Sequence, residues 1–150
     1  MDQATTMFEL IGAGGDGAAA IFAPGRPTLD YRGLRAQAKV CMAALNRRGV
    51  GRGDRVAIVL PNGPEMATAF VSVACAVATA PLNPAYRQDE FSFYMKDIGA
   101  KLLIVEQGSP SPVVAAAHGL AIPVIEIAAP GPRGFIDLYV RDQLSRRYIR

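Results

Sequence analysis

Between residues 55 and 127 the chain repeatedly switches its hydrophobic period, and this alternation restricts the possible folds more than any other feature. The run Arg55-Val-Ala-Ile-Val-Leu60 is β-branched and apolar on both faces, as a buried parallel strand is. Pro64 suits a first helical position and Glu65 the positive end of a helix dipole. Together they predict a helix to about residue 77, apolar all round and so sandwiched. Residues 79–82 read as a short strand closed by Pro81 and Pro84. Asp89 and Glu90 then open a helix with Phe91, Tyr94, Met95 and Ile98 on one face and Gly99 after it. A strand at 102–105, a short helix at 112–118 and a strand at 124–127 complete the series. Three strand–helix–strand units with short connections imply right-handed crossovers. The expected fold is α/β, a mostly parallel sheet with flanking helices.

Upstream, Asp30 is a good N-cap for a helix over 31–48. Leu34, Ala38, Cys41, Met42 and Leu45 share its apolar face, and Gly49 stands where a C′ glycine belongs. Downstream, residues 128–134 read as a loop, and 139–150 as a last helix with no evident packing site. No repeat at solenoid period is visible.

Composition removes several classes of function. Apolar residues make up 51% of the 150 and charged residues 19%, enough for a core and unlike a disordered tail. The net charge of +3 lies wholly in the last 18 residues, because residues 1–132 hold 11 Lys and Arg against 11 Asp and Glu. A neutral body with a basic tail is not the charged stripe of a nucleic-acid reader. Cys41 and Cys75, with one histidine, support neither a disulfide framework nor a zinc site, so a reduced, cytoplasmic protein is expected. The opening Met-Asp-Gln-Ala lacks a secretory signal's basic start. The uncharged run at 66–82 is at the lower length limit for a membrane span and rich in Ala, Ser and Thr, so it reads as buried rather than spanning.

Few residues could carry chemistry. Gly12-Ala-Gly14-Gly15-Asp16-Gly17 satisfies G-x-G-x-x-G, and residues 8–11 before it could be a strand. Pro24 and Pro27, however, leave six residues for the helix that a dinucleotide site requires, too few for a crossover. A glycine loop is the expected outcome. His118 has no Ser, Asp or Cys elbow beside it and reads as a partner of the last carbonyls of its helix. Asp54, Asp89 and Glu90 have turn and helix-start explanations. The five Thr and five Ser form no phosphate cradle followed by Lys. No catalytic residue and no metal ligand set is expected in these 150 residues.

Three stretches are more specific in combination: Leu29-Asp-Tyr-Arg-Gly-Leu34, residues 53–67, and Val73-Ala-Cys-Ala-Val-Ala-Thr-Ala-Pro-Leu-Asn-Pro84 with Ala85-Tyr86. In order, they resemble the N-terminal part of the adenylate-forming superfamily, in its AMP-forming acyl-CoA synthetase branch. Leu29, Tyr31 and Leu34 match that family's first core motif, Leu-x-Tyr-x-x-Leu. Residues 73–84 resemble the second, which ends Pro-Leu-Asn-Pro, although Ala76 replaces its usual glycine and Thr79 an aromatic.

The resemblance runs over about residues 7–138 and implies a partial, truncated N-terminal subdomain, with 139–150 as an off-family basic tail. It also implies a ligase that uses ATP and magnesium to activate a carboxylic acid and passes the acyl group to CoA. The family's phosphate loop is rich in Thr, Ser and Gly and ends in Lys, whereas this chain has no Thr after Thr79 and no Lys after Lys101. Inactivity of the chain alone is therefore expected. By the same resemblance, Tyr86 and Arg87, after Pro-Leu-Asn-Pro, would face the CoA nucleotide. The alternatives are a non-catalytic interaction module, self-associating through an uncovered sheet edge, and a nucleotide-binding domain using Gly12 to Gly17.

Overall fold

A computed structural model describes residues 5–128 and 139–141. The chain opens with a short helix, α1 (Met7–Gly12), where a strand had been the alternative for residues 8–11. A capping box explains the difference: Thr6 Oγ1 accepts from the Glu9 N–H at 3.2 Å, and the Glu9 carboxylate accepts from the Thr6 N–H at 3.0 Å. Two short strands, β1 (Ala19–Ile21) and β2 (Leu29–Asp30), then pair antiparallel.

The main body begins with α2 (Tyr31–Arg47), capped as expected by Asp30, whose Oδ1 accepts from the Gly33 N–H at 2.7 Å. Gly49, with φ +68°, lets the chain leave the helix in a left-handed conformation. Leu34, Ala38, Cys41 and Leu45 are buried on the predicted face; Ala44 joins them, while Met42 stays half-buried. The alternation that follows is β3 (Arg55–Val59), α3 (Pro64–Ala74), β4 (Ala78–Pro81), α4 (Gln88–Asp97), β5 (Leu102–Glu106), α5 (Pro112–Gly119) and β6 (Val124–Ala128). The last described element is β7 (Tyr139–Arg141), a strand where the sequence suggested the start of a helix; residues 142–150 lie outside the described residues, as does most of the 128–134 loop.

The five-stranded sheet has the order β4-β3-β5-β6-β7. Its first four strands are parallel, and β7 adds antiparallel to β6. Alternate residues of each strand feed two cores. Val56, Ile58, Leu102 and Ile104 pack on one face with Cys41 and Leu45 of α2 and Ala69 and Val73 of α3. Ala57, Val59, Leu103 and Val105 pack on the other with Phe91 and Met95 of α4 and Val113 and Ala117 of α5. Burial on both faces is why these strands are continuously apolar.

The helix α3 is less enclosed than its all-round apolar sequence suggests, with Phe70 on its outer side 36% exposed. The uncharged run at 66–82 breaks at Cys75–Val77 into α3 and β4. No helix among the described residues is long and apolar enough to cross a membrane.

Candidate functional site

The strand order decides where a ligand crevice can form. The chain leaves β3 toward β4 with α3 on one face, then crosses back to β5 with α4 on the other. Connections therefore diverge between β3 and β5, and ligands of doubly wound sheets bind outside the carboxyl ends of the strands at such a switch point. A cleft of about 280 Å³ lies there. Its walls are Val59, Leu60 and Pro61 at the end of β3, Pro84 after β4, and Glu106, Ser109, Pro110 and Ser111 at the end of β5.

These polar groups are held locally. Ser111 caps α5, accepting from the Val113 N–H at 3.3 Å, and Ser109 Oγ accepts from the Ser111 N–H at 3.3 Å. Gly108, with φ +68°, makes the turn that lifts Ser109 over the end of β5. Glu106 is the one charged residue lining the cleft. A triphosphate needs cationic or donor-rich walls, and three prolines with a carboxylate do not supply them. Among the described residues no group of three or more His, Cys, Asp or Glu is placed to hold a metal ion. Among the described residues neither cleft serine is hydrogen-bonded to a side-chain base. Sequence reading passed over Glu106, Ser109 and Ser111, although a Gly-Ser-Pro-Ser turn directly after a buried strand was the available signal.

Tyr86 and Arg87 flank this region on the loop from β4 to α4. The Tyr86 ring stacks on Tyr94, with centroids 5.0 Å apart and planes at 17°, and meets Phe91 edge-on at 5.7 Å. Hydrogen bonding with Tyr94, followed by partial desolvation, pushes the Tyr86 phenol above the usual tyrosine range. The Arg87 side chain is 77% exposed, and its guanidinium lies 3.6 Å from both the Asp89 and Glu90 carboxylates. The backbone N–H of Arg87 donates to Glu90 Oε2 at 2.8 Å at the start of α4. A phosphate reaching Arg87 would compete with two carboxylates.

The glycine run forms a pinned turn. Arg35 donates to the carbonyls of Ile11 and Gly14, both at 2.9 Å, and pairs with Asp16, which also lies 3.4 Å from Arg32. A side chain at Gly14 would begin 2.4 Å from the Tyr31 ring. The run is followed by β1, so the dinucleotide context is absent. His118 is exposed in the last turn of α5. The expected role for its ring is taken by the backbone, because Leu120, Ala121 and Ile122 N–H groups occupy the carbonyls of Ala116, Ala117 and His118.

Sheet order, crossovers and switch-point cleft define a doubly wound α/β domain built to present strand ends to a ligand. The model of the AMP-binding enzyme family matches residues 12–134. The chain belongs to that family. It is 37% identical over 120 residues to the protein named Probable CoA ligase CCL9 of Humulus lupulus, an alignment covering 79% of this chain and 23% of that protein. It is 43% identical over 75 residues to an oxalate–CoA ligase of Arabidopsis thaliana, covering 49% and 15%. Apo MatB from Rhodopseudomonas palustris shares the fold, with a TM-score of 0.71 at 22% identity, over 84% of this chain and 26% of that one. The chain thus spans less than a quarter of the length of these curated relatives.

Proposed function

We propose that these residues are the N-terminal subdomain of an AMP-forming acid–thiol ligase. The observation that carries this reading is the family match over residues 12–134 together with CoA-ligase relatives in which the matched part is under a quarter of the whole. In such an enzyme ATP, with magnesium, activates a carboxylate as its adenylate before CoA takes the acyl group. The contribution of this chain is a rigid two-sided sheet that sets the ends of β3, β4 and β5 at the edge of the ligand space. The chemistry needs groups that the described residues do not bring together, and no turnover is expected from the chain alone.

Tyr86 and Arg87 are assigned to the CoA nucleotide, with the ring positioned by Tyr94 and the guanidinium exposed. The cytoplasm, where ATP and CoA are available to a protein with two free thiols, is the matching compartment. The test is pyrophosphate release from ATP with CoA and a panel of carboxylic acids. None is expected from the purified 150-residue chain, and acid-dependent release above a heat-treated control would overturn the reading.

A second reading is favoured by one observation. Among the described residues β4 pairs with no strand on its outer side, and Leu10, Phe22 and Phe70 are exposed by 59%, 71% and 36%. Self-association through this edge and these side chains follows. Light scattering should show mass rising with concentration; a single monomer mass up to millimolar protein would remove it.

A further inference from the structure

The opposite end of the sheet, where the strands begin, carries an open groove of about 880 Å³. That size falls within the range of about 300–1,000 Å³ typical of small-molecule sites. Leu120, Ile122 and Val124, half-buried, form its apolar floor above the buried Val50 and Leu102, and Arg47, Arg48 and Lys101 stand on its rim. More cations gather around it, because the turns before β3 and β5 bring Arg52, Arg55 and Lys96 to the same end; Asp54 and Asp97 are the acids there.

Arg55 is held by neutral acceptors, whereas Lys101 is shared between a carbonyl and the Asp54 carboxylate. Arg55 donates to the carbonyls of Ile98 at 2.7 Å, Gly53 at 2.9 Å and Gly99 at 3.4 Å. Lys101 Nζ donates to the Gly49 carbonyl at 2.6 Å and to Asp54 at 3.0 Å. Arg47 is exposed and makes no hydrogen bond or ion pair with the described residues.

One backbone feature marks the groove independently. The helices α2, α4 and α5 all end here in a left-handed residue. Gly49 and Gly99 fill that position after α2 and α4, whereas after α5 it is Ala121, at φ 56°. An alanine is strained where glycine is not, and this alanine lines the groove.

We propose that the groove binds a small apolar anion: an aliphatic body on the floor, with a single carboxylate or comparable head at Arg47, beside the Lys101–Asp54 pair. Nucleic acid is disfavoured because no aromatic side chain lines the groove to stack a base. A bilayer is disfavoured because none of the exposed large apolar side chains of the described residues lines the groove. The site lies at the opposite end of the strands from the switch-point cleft, so it stands or falls separately from the ligase reading.

The probe is decanoate, titrated into the ¹⁵N-labelled chain and followed by amide shifts, with decylammonium as the charge-reversed control. Decanoate should move the Lys101, Leu102, Ile122 and Val124 amides saturably, and decylammonium should not. Arg47→Ala, which removes a side chain without internal partners, should weaken decanoate about two- to fivefold, the scale of one exposed charge pair. Ala121→Gly should raise the melting temperature by about 2–4 °C yet weaken decanoate, separating the groove from any folding defect. Equal shifts with decylammonium, shifts centred instead on Cys41 and Ile125, or unchanged affinity in either variant would overturn the proposal.

Discussion

At Gly14 a hydrogen is all that fits against Tyr31, whereas a side chain at Gly12 or Gly15 would meet nothing within 4 Å. Gly14→Ala should therefore destabilise the fold by about 1–3 kcal/mol through overpacking, and Gly12→Ala should leave the denaturant midpoint almost unchanged. Equal effects would mean the run is not a pinned turn. The cysteines separate in the same way. Burial pushes the Cys41 thiol up to about 12, with the nearby Cys75 adding to the effect, while Cys75 is half-buried and raised by desolvation alone. Iodoacetamide at pH 8 should alkylate Cys75 first and Cys41 only on unfolding, a sequence that peptide mass spectrometry reads directly. Asp54 accepts from the Gly51 N–H at 2.9 Å and from Lys101 at 3.0 Å, which hold its carboxyl below the usual range. Its ionised form therefore stabilises the fold above the unfolded value of about 3.9, and that contribution disappears as pH falls through the lower folded value. The gap in urea midpoint between wild type and Asp54→Asn should hold from pH 7 to 5 and close on further acidification; a gap independent of pH would exclude the ion-pair account.

Elements were legible where local chemistry decides them. Asp30, Pro64 and the glycines at 49 and 99 act at short range, and α2, α3 and α4 begin or end beside them. Asp30→Ala should cost about 1 kcal/mol, as loss of an N-cap does, with a matching fall in the thermal midpoint. What was missed depended on partners. Residues 8–11 are compatible with a strand until Thr6 and Glu9 cap them as a helix. Tyr139–Arg141 is a strand because β6 offers it an edge; an isolated three-residue strand has no stability of its own. The resemblance proposed Tyr86 and Arg87, which do not line the cleft. The cleft itself was not legible, because it joins the ends of β3 and β5, more than 40 residues apart, across a sheet order that periodicity does not reveal.

At the scale of the whole molecule, β3 and β5 sit at the centre of both cores, and β1, β2 and β4 lie outside or at the edge. Amides of Val56–Ile58 and Leu103–Val105 should exchange slowest and those of β1 and β4 sooner; uniform protection measured by hydrogen exchange would contradict this layering. The sequence by itself determined the class of fold and the family, because alternating periods, caps and ordered motifs are properties of neighbouring residues. It also established that residues 1–132 are neutral. Only the tertiary structure decided that this neutral body is electrically divided. The parallel order of β3 to β6 brings those four strand starts to one end, where Arg47, Arg52, Arg55, Lys96 and Lys101 outnumber Asp54 and Asp97, while Glu65, Asp89, Glu90 and Glu106 outnumber Arg26 and Arg87 toward the other. Charge along a chain is a sum, but charge in a fold has a position, and position follows from which strands the sheet places side by side.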